Sequence, residues 1–275
     1  MLLAIVVCRS WDKMSFKQSA IEITKRAYGA VRDVVTAPAV QISAGNLLMA
    51  SQTAEAVGIA VNLGATLGTA ACRAYESWTG RNLGLPYYVQ AGINAVTAGS
   101  ILANGLSNPQ LDIQTATGLQ NFATGSLLPA SAFVGWATGH ILRGRYEARN
   151  RHATNPLKSE QLYYGIGDIA AVQGNPTSTT AFLLGLGRTF LLRPSAKTEQ
   201  PNSFRELATK HVTPARLYAT GYYIGSALSA ITNPVFAAAQ FLWGTGYAGM
   251  DKKENRSLIA DIRKLRDTKL VQPRL

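Results

Sequence analysis

The sequence contains little charge. Asp, Glu, Lys and Arg make up 15% of its 275 residues, whereas soluble globular proteins contain about 25%. Apolar residues account for an ordinary 47%, so the scarcity of charge is the unusual feature. The composition therefore favours a membrane-embedded protein over an ordinary soluble domain.

Cysteine and histidine are also scarce. The two cysteines, Cys8 and Cys72, form no CxxC or Cys/His motif, so we expect free thiols. The three histidines stand apart from each other and from the cysteines, which argues against a structural metal site. No nucleophile, base and acid form a recognisable set, and no Walker or Rossmann fingerprint is present. We expect a protein that is not an enzyme and that binds no cofactor or metal.

Basic residues are absent from four long segments. The 27 Lys and Arg residues fall into five clusters, and the segments without them are 33–72, 82–142, 159–187 and 217–251. A membrane hairpin that begins and ends on the cytoplasmic side explains each gap, because cytoplasmic loops retain positive charge. We therefore assign the net charge of +12 to contacts with anionic lipid head groups, and nucleic acid is not expected as a partner.

The predicted fold is all-α, a polytopic membrane bundle of about eight transmembrane helices arranged as four hairpins. Residues 1–35 form an amphipathic basic segment, 36–250 the membrane domain, and 251–275 a basic tail, with both termini cytoplasmic. The helix predicted at 15–35 either lies on the bilayer surface or packs on the protein. The predicted hairpins lie at about 40–75, 85–142, 160–193 and 217–250.

The last two predicted hairpins share a pattern. Gly167 precedes Asn175-Pro176 by eight positions, and Gly225 precedes Asn233-Pro234 by eight. We interpret the hairpin as a repeated unit in which each Asn-Pro pair marks a turn. Gly167 is then expected to superpose on Gly225, and glycines elsewhere to mark close helix packing. Hairpin 160–193 is short for two crossings of ~20 residues each, so it either spans the bilayer or re-enters.

Asp168 is the principal candidate for a functional residue. It lies inside a predicted membrane helix, where charged side chains are costly and commonly functional. Arg188, on the partner limb of the same hairpin, is predicted to reach it and form an ion pair. The alternative is a neutral Asp168 hydrogen-bonded to hydroxyl groups. Asn94 and Asn104 are predicted to line the same polar path.

Three tyrosines lie near the cytoplasmic ends of predicted hairpins. Tyr87, Tyr163 and Tyr218 are interpreted as aromatic belts at the membrane interface, and a role at a substrate path is the alternative. Three functions remain open. Small-solute transport is preferred over a non-transporting membrane scaffold or complex subunit with a basic cytoplasmic face, and over a soluble all-α domain.

Overall fold

The predicted all-α fold is confirmed. A computed structural model describes residues 16–53, 55–109, 111–150, 155–171, 176–191 and 204–250, and no strand occurs among them. The predicted C-terminal tail and Asn175 lie outside these ranges. The described helices are α1 Phe16–Val35, α2 Pro38–Thr53, α3 Ala56–Thr79, α4 Leu85–Leu106, α5 Ala116–Phe122, α6 Leu128–Arg149, α7 Glu160–Ala171, α8 Pro176–Leu191, α9 Phe204–His211, α10 Pro214–Ser229 and α11 Pro234–Met250.

The four predicted hairpins correspond to the helix pairs α2–α3, α4–α6, α7–α8 and α10–α11. Pro176 and Pro234 each begin a helix, because proline fits the first helical turn, where its missing N–H leaves no bond unmade. Asn233 caps α11 by accepting a hydrogen bond from the Phe236 N–H at 3.0 Å. Pro176 and Pro234 are thus the first residues of α8 and α11, and Asn233 is the cap of α11. The turn predicted at Asn175 lies outside the described residues.

Pro129 lies in the return limb of the second hairpin, and a proline inside a helix commonly kinks it. A π-helical turn, Ala123–Leu127, directly precedes α6 and places Pro129 in the first turn of that helix. A proline lacks the N–H that would bond the carbonyl four residues earlier, and its ring crowds that carbonyl. The wider turn absorbs this conflict.

Eight of the described helices form a closed ring. Each packs on the next in the order α2, α3, α4, α6, α7, α8, α10, α11, and α11 packs back on α2. The closing contact is antiparallel: Trp243 meets Asn46, and Gly249, further along α11, meets Pro38 at the start of α2. The ring thus joins a first half, α2–α6, to a second half, α7–α11.

Charged side chains of the ring helices gather at one end, with Asp168 as the exception. Arg143 at the end of α6 reaches Glu160 at the start of α7, and Arg188 near the end of α8 donates to the Val212 carbonyl before α10. Helices α2, α4 and α11 carry no charged residue. This charged end comprises Arg73, Glu76, Arg143, Arg145, Glu147, Arg149, Glu160, Arg188 and Arg216.

Helix α1 packs against α3, where the Ser77 hydroxyl donates to Asp33 Oδ2 at 2.8 Å. Another face of α1 stays exposed and is apolar, with Tyr28, Val31 and Val35 each more than 60% exposed. The predicted amphipathic helix is thus present, and one of its faces packs on α3. The other face remains without a partner among the described residues.

No individual helix in the described ranges has both the length and the hydropathy of a membrane-spanning segment. Helices α1 and α2 meet the requirement together, as Ala20–Val35 and Pro38–Gln52 bent by 54°. This result concerns length and composition only, and the membrane crossings expected from the charge pattern remain a prediction.

The core of the ring is aromatic. The main cluster contains Tyr87, Tyr164, Phe182, Tyr218, Tyr222 and Tyr247. The interpretation of Tyr87 and Tyr218 as interfacial belt residues is therefore wrong, since they are only 6% and 0% exposed. Tyr218 satisfies its hydroxyl inside the protein by donating to the Gln161 carbonyl at 2.8 Å. Only Tyr163 of the three remains partly exposed.

Glycine allows the two halves of the ring to approach closely at the α6–α7 seam. A Cβ atom at Gly135 would lie 2.9 Å from both the Gly167 nitrogen and the Tyr163 carbonyl oxygen. Backbone atoms cannot move aside as a flexible side chain can. Gly99, by contrast, has open space where a Cβ would be placed. The predicted packing role of glycine thus holds at Gly135 and not at Gly99.

We expect Gly135→Ala to destabilise the fold by about 1–3 kcal/mol, the usual cost of overpacking. The matched variant Gly99→Ala should stabilise by about 0.5–1 kcal/mol, because alanine loses less conformational entropy in a helix. Thermal unfolding of both purified variants measures the difference. Equal unfolding temperatures for the two variants would contradict the close approach at Gly135.

Candidate functional site at Asp168

Asp168 lies at the centre of a buried group of hydrogen-bond donors. Its side chain is 0% exposed. Its Oδ1 atom accepts from Trp136 Nε1 at 2.8 Å, the Tyr222 hydroxyl at 2.6 Å and the Tyr247 hydroxyl at 3.1 Å. The Oδ2 atom is buried and has no hydrogen-bond partner among the described residues. The carboxyl group is thus held by one oxygen, and its second oxygen is unused.

Four ring helices supply these groups. Trp136 comes from α6, Asp168 from α7, Tyr222 from α10 and Tyr247 from α11. Gly167 makes the Trp136 contact feasible, since a Cβ there would lie 2.6 Å from the indole Cδ1 atom. The site therefore joins both halves of the ring, and no single hairpin contains it.

A related arrangement lies where α11 packs on α2, the second contact between the two halves of the ring, which we call the Asn46 seam. Trp243 Nε1 donates to Asn46 Oδ1 at 2.9 Å, and a Cβ at Gly45 would lie 2.6 Å from the Trp243 ring. Asn46 Nδ2 donates in turn to Gln90 Oε1 at 3.3 Å. Asn46 thus corresponds to Asp168, with a neutral amide whose two polar atoms both have partners.

Hydroxyl groups complete the Asn46 seam. Gln90 Nε2 donates to the hydroxyl oxygens of Ser43 at 2.8 Å and Thr69 at 2.9 Å. Ser43 is also within 3.0 Å of the Thr66 hydroxyl oxygen. Buried polar groups are costly when unpaired, and here both polar atoms of Asn46 and of Gln90 have partners. The Asn46 seam therefore serves stability. The contact at Asp168 differs because its Oδ2 atom has no partner among the described residues.

A row of side chains connects Asp168 with the charged end. Tyr247, which donates to Asp168, packs edge-on against Tyr164, and the Tyr164 hydroxyl lies 2.9 Å from His140 Nδ1. The His140 ring lies 6.1 Å from that of Tyr87, and the Arg143 guanidinium is 5.9 Å from the Tyr87 ring centre. The last contact is within the range of a cation–π interaction.

Arg143 organises the charged end. It donates to Glu147 at 2.7 Å, to Glu160 at 3.2 Å and to the Met250 carbonyl at 3.0 Å, while its own side chain is 8% exposed. It therefore joins α6, α7 and the end of α11. A cavity of about 60 Å³ adjoins it, lined in part by Arg73, Glu76 and Tyr87.

The predicted ion pair between Asp168 and Arg188 is not formed in the described part of the chain. Arg188 Nε donates to the Val212 carbonyl, and Asp168 takes its partners from other helices. Arg188 lies on the partner limb of the same hairpin, but nearness in sequence does not make it the partner of Asp168. The ring instead places α6, α10 and α11 around the carboxyl group.

The two predicted asparagines, Asn94 and Asn104, do not contact Asp168 through hydrogen bonds. Asn94 is 2% exposed and lies one turn after Gln90 on the buried face of α4, and its Nδ2 has no partner among the described residues. Asn104 is exposed near the end of α4. Neither is a hydrogen-bond partner of Asp168, so the structure does not bring the predicted polar path together as proposed.

The predicted superposition of Gly167 on Gly225 stays a prediction, but the side chains that contact the two glycines differ. Gly167 meets Trp136 of the preceding helix, whereas a Cβ at Gly225 would meet Gln240 of the following helix. The contacts match Gly167 with Gly45 instead. The matching contacts favour a second interpretation of the repeat, in which each half of four ring helices is the unit.

A sequence signal for this repeat was present. Trp136-Ala137-Thr138-Gly139-His140 and Trp243-Gly244-Thr245-Gly246-Tyr247 share the pattern W-x-T-G followed by a ring. Each tryptophan donates to the polar residue that follows a glycine, in Gly45-Asn46 or Gly167-Asp168. The motif contains Trp136 and Tyr247, which donate to Asp168, and His140, whose partner is the Tyr164 hydroxyl.

Comparison of the chain with protein-family models, curated proteins and solved structures finds no match. Within the described residues, no three His, Cys, Asp or Glu side chains gather as a metal site would require.

Proposed function

We propose that this chain is a multi-pass integral membrane protein whose ring crosses the bilayer as four hairpins. The exterior of the ring supports the proposal, because large apolar side chains are exposed while polar ones are buried inside. An exposed apolar surface of this extent would promote association in water, and lipid can cover it. The exposed residues on ring helices include Val57, Leu67, Val96, Leu106, Val134, Ile141, Leu184, Leu228 and Phe241.

The charged end faces the cytoplasm in this proposal. The helix ends that form it adjoin the basic clusters in sequence. Positive charge is retained on the cytoplasmic side of membrane proteins. Helix α1 then lies at the membrane surface, where its exposed face carries Tyr28, Val31 and Val35. Lys25 and Arg32 belong to the same helix and are exposed. Basic amphipathic helices of this kind bind anionic head groups.

The third hairpin is the shallowest part of the proposed membrane domain. Helix α7 has 12 residues and α8 has 16, which gives lengths of about 18 and 24 Å. The hydrocarbon core is ~30 Å thick. We propose that this hairpin enters from the charged end and brings Asp168 into the membrane interior.

We infer that the protein moves a small solute through the ring and that Asp168 is the group on which this movement depends. The observation that carries the inference is the unused Oδ2 atom of a fully buried carboxyl group. Buried polar groups without partners are rare in folded proteins and are found at functional positions. An intramembrane carboxyl group is a functional candidate for the same reason.

A non-transporting scaffold is the second candidate. It is favoured by the aromatic side chains that fill the core, such as Tyr164, Phe182 and Tyr218. A protein of this kind would use its charged end to hold partners or anionic lipid. The aromatic core would then serve stability alone.

Purified protein in liposomes separates the candidates. Stopped-flow light scattering with glycerol, urea, an amino acid and a hexose as probes should show faster entry of at least one of them than in empty liposomes. Rates equal to those of empty liposomes for all four would favour the scaffold. Release from cell membranes by alkaline carbonate would instead favour a soluble all-α domain.

A further inference from the structure

We propose that Asp168 Oδ2 binds a single proton and that this proton, and no metal cation, is the ion that the Asp168 centre takes up and releases. The inference deepens the proposed transport function and rests on it for its role. The proton site itself can be tested without any transported solute.

The hydrogen bonds determine which oxygen is available. Trp136, Tyr222 and Tyr247 all donate to Oδ1, which uses the lone pairs of that atom. Any further species must therefore bind Oδ2, which is buried and has no partner among the described residues.

The surroundings do not suit a metal cation. Hard cations in proteins take about six to eight oxygen ligands. At Asp168 the neighbouring indole N–H and tyrosine hydroxyls direct hydrogen atoms at the carboxyl group. Within the described ranges, Asp168 belongs to no group of three or more His, Cys, Asp or Glu side chains that could hold a metal ion. A proton needs a single lone pair, and Oδ2 supplies it.

Among the described residues, no salt bridge gives Asp168 a counter-charge. The groups that face Asp168 are Tyr164 on its own helix, Trp136 from α6, Tyr218 and Tyr222 from α10, and Tyr247 from α11, while α8 contributes Phe182 against Tyr222. All of these side chains are neutral aromatics. An ionised carboxyl group without a counter-charge is costly in such a medium, so the bound proton stabilises the closed ring.

The Asn46 seam shows what this position accommodates. Asn46 Oδ1 accepts from Trp243, as Asp168 Oδ1 accepts from Trp136. The second polar atom of Asn46 is an N–H donor directed at Gln90. A protonated Asp168 resembles Asn46, because its Oδ1 atom accepts from a tryptophan N–H and its second atom carries a hydrogen. Loss of the proton makes Asp168 unlike Asn46.

Infrared spectroscopy of purified protein labelled with ¹³C in the aspartate carboxyl carbons tests the proposal. A carbonyl-stretch band of a protonated carboxyl group should be present in the folded protein at neutral pH, should shift with the label and should disappear as the pH is raised. Adding Na⁺, K⁺ or Mg²⁺ at constant pH should leave the band unchanged.

Two variants assign the band. Asp168→Asn should remove it, and Asp33→Asn on α1 should leave it in place. The wild-type protein alone can overturn the proposal: absence of a label-sensitive band at neutral pH in the folded protein, or loss of the band on adding a cation, would do so. A band without solute entry in liposomes would retain the proton site and reject transport.

Discussion

Arg143→Ala is expected to destabilise the protein by about 3–5 kcal/mol, the usual cost of breaking a buried ion pair on one side. Arg143 is only 6% exposed and bonds Glu147, Glu160 and the Met250 carbonyl. Removing it leaves two acidic side chains without their cation in a poorly hydrated place. It also releases α6 from α7 and from the end of α11. Thermal unfolding in detergent, followed by circular dichroism, measures the loss.

Arg145→Ala provides the matched control on the same helix. Arg145 is exposed, and surface substitutions away from special features usually change stability by no more than about 0.5 kcal/mol. Arg143→Ala and Arg145→Ala proteins that unfold at the same temperature would show that Arg143 does not join the two halves of the ring.

Asp168→Asn is expected to abolish solute entry into liposomes while the protein remains folded. The asparagine keeps an oxygen for Trp136, Tyr222 and Tyr247, so we expect a loss of stability of only about 1 kcal/mol. It also places a permanent N–H donor where the carboxyl group would bind and release a proton. The centre is then fixed in the form that resembles the Asn46 seam.

The control for this variant is Asp33→Asn, which removes a carboxyl group from α1, where Ser77 donates to it. It should keep the wild-type rate of entry. If Asp168→Asn protein carried the solute at the wild-type rate, Asp168 would have no role in transport and would be a structural acceptor for its three donors.

The helices and the placement of charge could be predicted from the sequence. Proline favours the first turn of a helix because its missing N–H leaves no bond unmade there, and α8 and α11 begin at Pro176 and Pro234. The gaps between basic clusters gave the four hairpins. Both signals are local, and local signals do not depend on how helices are arranged around each other.

The partners of Asp168 could not be predicted in the same way. Arg188 lies on the adjacent limb and is close in sequence, but the donors Trp136 and Tyr247 are separated from Asp168 by 32 and 79 positions. Only the closure of the ring brings them together. Glycine occurs 25 times and is a weak marker for aligning a repeat, whereas the four tryptophans are more specific. Alignment on Trp136 and Trp243 pairs the two indole contacts, one with Asp168 and one with Asn46.

The central claim, a ring that crosses a membrane with its charged end on one side, is tested most directly by single cysteines. In a chain with Cys8→Ser and Cys72→Ser, the variants Gln52→Cys and Gln114→Cys lie at the far end, and Arg81→Cys and Lys158→Cys near the charged end. Treating intact and permeabilised cells with a membrane-impermeant maleimide reports the side of each position. We predict labelling of Gln52→Cys and Gln114→Cys in intact cells, and of Arg81→Cys and Lys158→Cys only after permeabilisation. Labelling of all four from the same side would contradict the membrane-spanning ring.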